Sequence, residues 1–99
     1  MKFKINRNEL TMNPEQILRR AGYGLIRSRS TGQDSFVRRL GNRGEYPRFH
    51  LYVEGDNEVV SFNLHLDQKQ PSYGGSHAHS GEYDGELLEN EMARLKQFI

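Results

Sequence analysis

The side chains best suited to chemistry are four histidines, all between residues 50 and 79, with acids close by. His65 and Asp67 are two apart in an alternating stretch, so a strand there points both to one face. His77 and His79 flank Ala78 in the run Ser76-His77-Ala78-His79-Ser80. An extended His-x-His places both imidazoles on one side, where they can converge on an ion. Nitrogen and oxygen ligands without sulfur suit zinc or another divalent transition metal. The expected set is His65, His77 and His79 with Asp67 or an open water position as the fourth, and Glu82 as the base for a metal-bound water. Asp84 is a further nearby carboxylate and His50 the most peripheral imidazole. The same groups also suit a metal-free polar network or a solvated surface. Ser76, Ser80, His77 and Asp84 contain the residue types of a hydrolytic triad, but nothing resembles a strained nucleophile elbow.

A second chemistry comes from charge. Residues 1–50 carry eleven Lys/Arg and four Asp/Glu, whereas residues 51–99 carry three and nine, so a net charge of +1 hides halves of +7 and −6. Arg27, Arg29, Arg38, Arg39, Arg43 and Arg48 fall on consecutive strands and turns, with Tyr46, Tyr52 and Tyr73 available for stacking. Arginine forks suit phosphates, so RNA or DNA is an expected partner. The alternative is internal pairing with Glu86, Glu89 and Glu91. A protein partner docking on the acidic helix or a sheet edge is a third expectation. Oligomeric state leaves no mark in the sequence.

Composition bounds these readings. Ninety-nine residues, 34% hydrophobic and 27% charged, suit one domain over 1–99 with a modest core. Ten Phe and Tyr residues argue against disorder. The absence of cysteine excludes disulfides and thiolate chemistry. No apolar run reaches the roughly 18 residues of a membrane span. The start, Met1-Lys2-Phe3-Lys4-Ile5, lacks the apolar stretch of a signal peptide. The expected location is therefore cytoplasmic, with no membrane partner.

The elements that must position these groups are legible in outline. Residues 1–11 read as a flexible arm or edge strand. Asn13-Pro14 starts a helix, with Gln16 completing a capping box and Gly22 ending it. Strands follow over 23–29, centred on Leu25 and Ile26, and over 35–40. A hairpin spans Arg48 to Asp67. Keeping its apolar residues on one face pairs Val53 with Val60, Leu51 with Phe62 and Phe49 with Leu64. That register leaves Asp56-Asn57 as the turn and sets Arg48 opposite His65 and His50 opposite Asn63. Residues 68–84 read as a long functional loop. Asp84 then caps a helix over 85–98, with Leu87, Leu88, Met92, Leu95 and Ile99 as its core stripe. The expected fold is α+β, a three- to four-stranded antiparallel sheet with an N-terminal and a C-terminal helix.

Some of these features resemble known groups. The α-β-β-β-α order is similar to that of the double-stranded-RNA-binding domain and the HicA-type mRNA-interferase toxins, and Ile17-Leu18-Arg19-Arg20-Ala21-Gly22-Tyr23 looks like the toxins' opening. The toxin histidine expected after the first strand is missing from Ser30-Thr31-Gly32-Gln33-Asp34-Ser35. The second helix opens Asp84-Gly85-Glu86, where the RNA-binding domain has lysines. Both resemblances therefore imply topology alone. Ser35-Phe36-Val37-Arg38-Arg39-Leu40, Pro47-Arg48-Phe49-His50-Leu51-Tyr52, His65-Leu66-Asp67-Gln68-Lys69 and residues 77–86 resemble a group of short uncharacterised bacterial proteins, chiefly from candidate-phyla genomes. No activity is attached to that group, so the resemblance implies none.

Overall fold

The computed structural model describes residues 1–41, 44, 46–68 and 80–99, with residues 80–84 described by their backbone alone. The chain is α+β, with a five-stranded antiparallel sheet and two helices. Strands β1 (Lys2–Asn6), β2 (Gly24–Arg27), β3 (Asp34–Arg39), β4 (Arg48–Gly55) and β5 (Val59–Asp67) lie in the order β1-β5-β4-β3-β2. Helix α1 (Pro14–Arg20) joins β1 to β2, and α2 (Ser80–Lys96) follows β5. The expected three to four strands become five because residues 2–6 form a full edge strand. Phe3 pairs with Phe62 and Ile5 with Val60, burying one side of β1 against the core.

Helix α1 forms where its local signals place it. The Asn13 side chain accepts from the Gln16 backbone N–H at 2.9 Å, and the Gln16 side chain accepts in return from the Asn13 N–H. Gly22 takes φ of 100° after the last turn, a conformation that needs no Cβ. Ile17 and Leu18 are the buried face. Helix α2 begins at Ser80, four residues before the expected Asp84 cap, so the stretch between β5 and α2 is shorter than 68–84. Its stripe is as expected: Met92 and Leu95 are buried, and Leu87, Leu88 and Ile99 pack against them. Among the described residues, no helix is long and apolar enough to cross a membrane.

The β4–β5 hairpin keeps the expected faces in a different register. Phe49 faces Leu66, Leu51 faces Leu64 and Val53 faces Phe62, a shift of two residues from the expected pairing. Alternation fixes register only to a multiple of two, because such a shift leaves every side chain on its own face. The turn decides. The Asp56 carboxylate accepts from the N–H of Glu58 and of Val59, both at 2.9 Å, and the Asp56 N–H donates to the Val59 carbonyl. The turn is therefore Asn57-Glu58, not Asp56-Asn57. Gly55, at φ of 125°, takes the twist, and a Cβ there collides with the Val59 carbonyl. His50 consequently faces His65, and Arg48 faces Asp67.

Phe36, Phe49, Leu51, Val60, Phe62 and Leu64 form one buried layer with Leu18, Met92 and Leu95 of the helices. Strand β2 is the far edge. Leu25 and Ile26, expected as an apolar strand centre, are 39% and 37% exposed there.

Candidate functional site

Side chains alternate across a strand, so the residues between the buried ones share the face that the helices leave open. On β4 these are Arg48, His50, Tyr52 and Glu54; on β5, Ser61, Asn63, His65 and Asp67. Ser35, Val37 and Arg39 of β3, Ile26 of β2 and Lys2 and Lys4 of β1 lie on the same face.

Its centre is a chain of polar contacts across three neighbouring strands. Ser35 Oγ lies 2.8 Å from His50 Nε2, and His50 Nδ1 lies 3.1 Å from Asp67 Oδ2. Arg48 Nε donates to the same Asp67 oxygen at 3.2 Å. A carboxylate only accepts, so Nδ1 donates to it, and in the neutral ring Nε2 accepts from Ser35. The order hydroxyl, imidazole, carboxylate is that of an acyl-transfer triad. However, Ser35 is only 6% exposed, near the start of β3, and lacks the access a nucleophile requires. The chain orients His50 and fixes one oxygen of Asp67.

Around it lies a group of rings. His50 stacks on Tyr52 with centroids 4.7 Å apart, and Tyr52 meets His65 edge-on at 5.8 Å. The Arg48 guanidinium lies over the Tyr46 ring at 4.7 Å. Cations frame the group. Lys2 is 3.9 Å from Glu54, while Lys4 and Arg39 are exposed with no ion pair among the described residues. Where the chain start pairs with Leu64, a pocket of about 410 Å³ opens at the end of the sheet, lined by His50, Tyr52, His65 and Asp67 of the open face and by Met1, Leu64, Leu66 and Leu88. That is within the roughly 300–1,000 Å³ typical of ligand pockets.

The six expected phosphate-binding arginines do not form one row. Arg39 and Arg48 lie on the open face. Arg27 is on the edge strand, paired with Asp34 at 2.8 Å, and Arg29 is exposed in the following turn. Arg38 lies on the helix face and donates to Glu91 at 3.5 Å. Arg43 falls outside the described residues, as does Tyr73. Of the expected metal ligands, His65 and Asp67 share the open face of β5. His77 and His79 fall outside the described residues, as do Ser76 and the Glu82 side chain. Among the described residues, no three His, Asp or Glu side chains gather as a metal group.

Sequence reasoning missed two features. Lys2 and Lys4 join the face only through β1 pairing. Glu91, read as one acid among several, is 4% exposed. It accepts from Tyr23 Oη at 2.6 Å and from Arg94 at 2.8 and 2.9 Å. Arg94 also donates to the Ala21 carbonyl at 2.7 Å, which ties the end of α1 to α2. Burial alone would raise the Glu91 pKa, but the hydrogen bonds from Arg94 and Tyr23 hold it below its ordinary value. Burial, and then the bond to Glu91, push the Tyr23 phenol well above its own.

The chain matches no protein-family model, and no curated protein or solved structure matches it.

Proposed function

We propose that the open sheet face binds single-stranded nucleic acid without catalysis. The observation that carries this reading is Tyr52, stacked on His50 and edge-on to His65, on a face flanked by Lys4 and Arg39, which have no ion pair among the described residues. Single strands are held by aromatic surfaces on which bases stack, within a positive frame that follows the phosphates. The face supplies both, with Lys2 and Lys4 on one flank and Arg39 on the other. The test is fluorescence anisotropy with a labelled mixed-sequence twelve-nucleotide RNA or DNA. Three or four phosphate contacts give a log–log salt slope of about −2 to −3, so affinity falls roughly 20- to 50-fold between 50 and 200 mM salt. No binding at 50 mM salt ends this reading. A duplex of the same sequence should bind more weakly, because its bases are already stacked.

A second reading keeps the metal. Among the described residues, neither the His65 ring nor Asp67 Oδ1 has a hydrogen-bond partner, and the two groups lie two positions apart on one face. With His77 and His79 they supply ligands of the kind zinc accepts; with water instead of Asp67 in the fourth position, Glu82 is the candidate base. A metal at 100 times its dissociation constant stabilises the fold by about 2.7 kcal/mol. Calorimetric melting with zinc, manganese or nickel, on wild type and on His77→Ala/His79→Ala, checks this. An unchanged wild-type melting temperature with all three ions excludes it.

A further inference from the structure

We infer that the pocket at the β5 end of the open face holds one nucleobase and selects bases that carry an exocyclic amino group, with Asp67 as the selecting residue. This rests on the single-strand reading above and adds a chemical preference to it.

Asp67 is the anomaly of the face. A carboxylate beside phosphates is repulsive, yet this one is one-third exposed and lines the pocket. Its two oxygens are not equivalent. Oδ2 accepts from both Arg48 and His50, and His50 is braced in turn by Ser35. Oδ1 has no hydrogen-bond partner among the described residues. Arg48 offsets the charge, and Oδ1 remains as an acceptor held in a fixed place. The rest of the pocket suits a flat ring. Tyr52 and His65 contribute aromatic walls, and Met1, Leu66 and Leu88 line its apolar side at the end of the sheet. A single acceptor in such a pocket needs a donor on the base edge. Carboxylates take the N4 amino group of cytosine, and adenine and guanine carry comparable amino groups. Uracil and thymine present a carbonyl oxygen at the corresponding position, so two acceptors face each other.

The experiment compares labelled eight-nucleotide strands of cytidine, adenosine and uridine, with deoxycytidine and thymidine strands as the DNA arm, by anisotropy at 50 mM salt. The expected result is that cytidine and adenosine strands bind roughly fivefold or more tighter than uridine, about what one net hydrogen bond contributes. N4,N4-dimethylcytidine, which lacks the donor, should bind like uridine; this control leaves the protein untouched. Asp67→Asn should bring cytidine and uridine within about twofold, because an amide offers both a donor and an acceptor. Equal binding of cytidine and uridine strands by the wild type overturns the selection and leaves the binding face standing. So does an undiminished preference for dimethylcytidine. Failure to bind any strand overturns both.

Discussion

Replacing Glu91 by alanine will destabilise the fold by about 3 kcal/mol, more than the same replacement of any other acidic residue whose side chain is described. The Tyr23 hydroxyl is buried and donates to Glu91 at 2.6 Å, so removing the carboxylate strands it at about 1–3 kcal/mol. Arg38 and Arg94 are about one-third exposed and can turn to water, so their loss adds less than that of a fully buried partner. The carboxylate also joins three parts of the fold: the α1–β2 connection through Tyr23, β3 through Arg38 and α2 through Arg94. For about a hundred residues, 3 kcal/mol lowers the melting temperature by roughly 12–24 °C. Tyr23→Phe removes the stranded donor as well as its bond, and should cost only about 1 kcal/mol. Acid offers a second readout. The folded-state pKa of Glu91 lies below its ordinary value of 4.5. Its contribution is therefore fully present above that value and is lost as pH falls through the folded pKa. Glu91→Gln, which cannot titrate, should flatten the acid side of the stability curve. Urea unfolding at pH 7 and at stepped values below pH 5 measures both effects. An alanine variant within about 1 kcal/mol of wild type would mean that the Tyr23 hydroxyl finds water, and that the network is not what joins the elements.

The legible and illegible parts of this fold divide by sequence distance. Helix α1 was legible to the residue because Asn13, Pro14, Gln16 and Gly22 act within one or two turns of themselves. The faces of β4 and β5 were legible for the same reason. Their register was not, because a shift of two residues preserves every face, and the choice fell to one side chain, Asp56, reaching two backbone N–H groups. That choice decides the site. In the expected register His65 meets Arg48; in the observed one it meets His50, and Asp67 meets Arg48. The Ser35–His50–Asp67 chain spans separations of 15 and 17 residues, and the Tyr23–Glu91 bond spans 68. No local pattern carries such information. Strand β1 illustrates the limit: its alternation marks a strand, but nothing in residues 2–6 says that Phe62 and Val60 lie alongside. Asp84 shows the opposite error, a good capping residue that falls inside a helix begun at Ser80.

Tyr52→Ala will weaken single-strand binding by about 1–3 kcal/mol, roughly 5- to 150-fold, the range for one base stacked on one aromatic ring. The residue is central to the face. Its ring meets both histidines, so its loss also removes the surface against which His50 and His65 are placed. It lies outside the buried layer, so the fold should remain and the effect should appear in affinity, with unfolding little changed. Two further variants show which part of the binding is lost. Tyr52→Phe keeps the ring and should bind within about twofold of wild type. Arg39→Ala removes one cation, and should weaken all sequences alike while making the salt slope shallower by about 0.7. Stacking and charge thus leave different signatures: the tyrosine changes affinity at constant slope, and the arginine changes the slope. If Tyr52→Ala binds within about twofold of wild type while Arg39→Ala weakens binding as expected, the face attracts strands by charge alone. Bases then do not reach the sheet. In that case the rings of β4 and β5 serve to hold His50 and Asp67 in place, and the pocket beside Leu64 has no nucleobase to select.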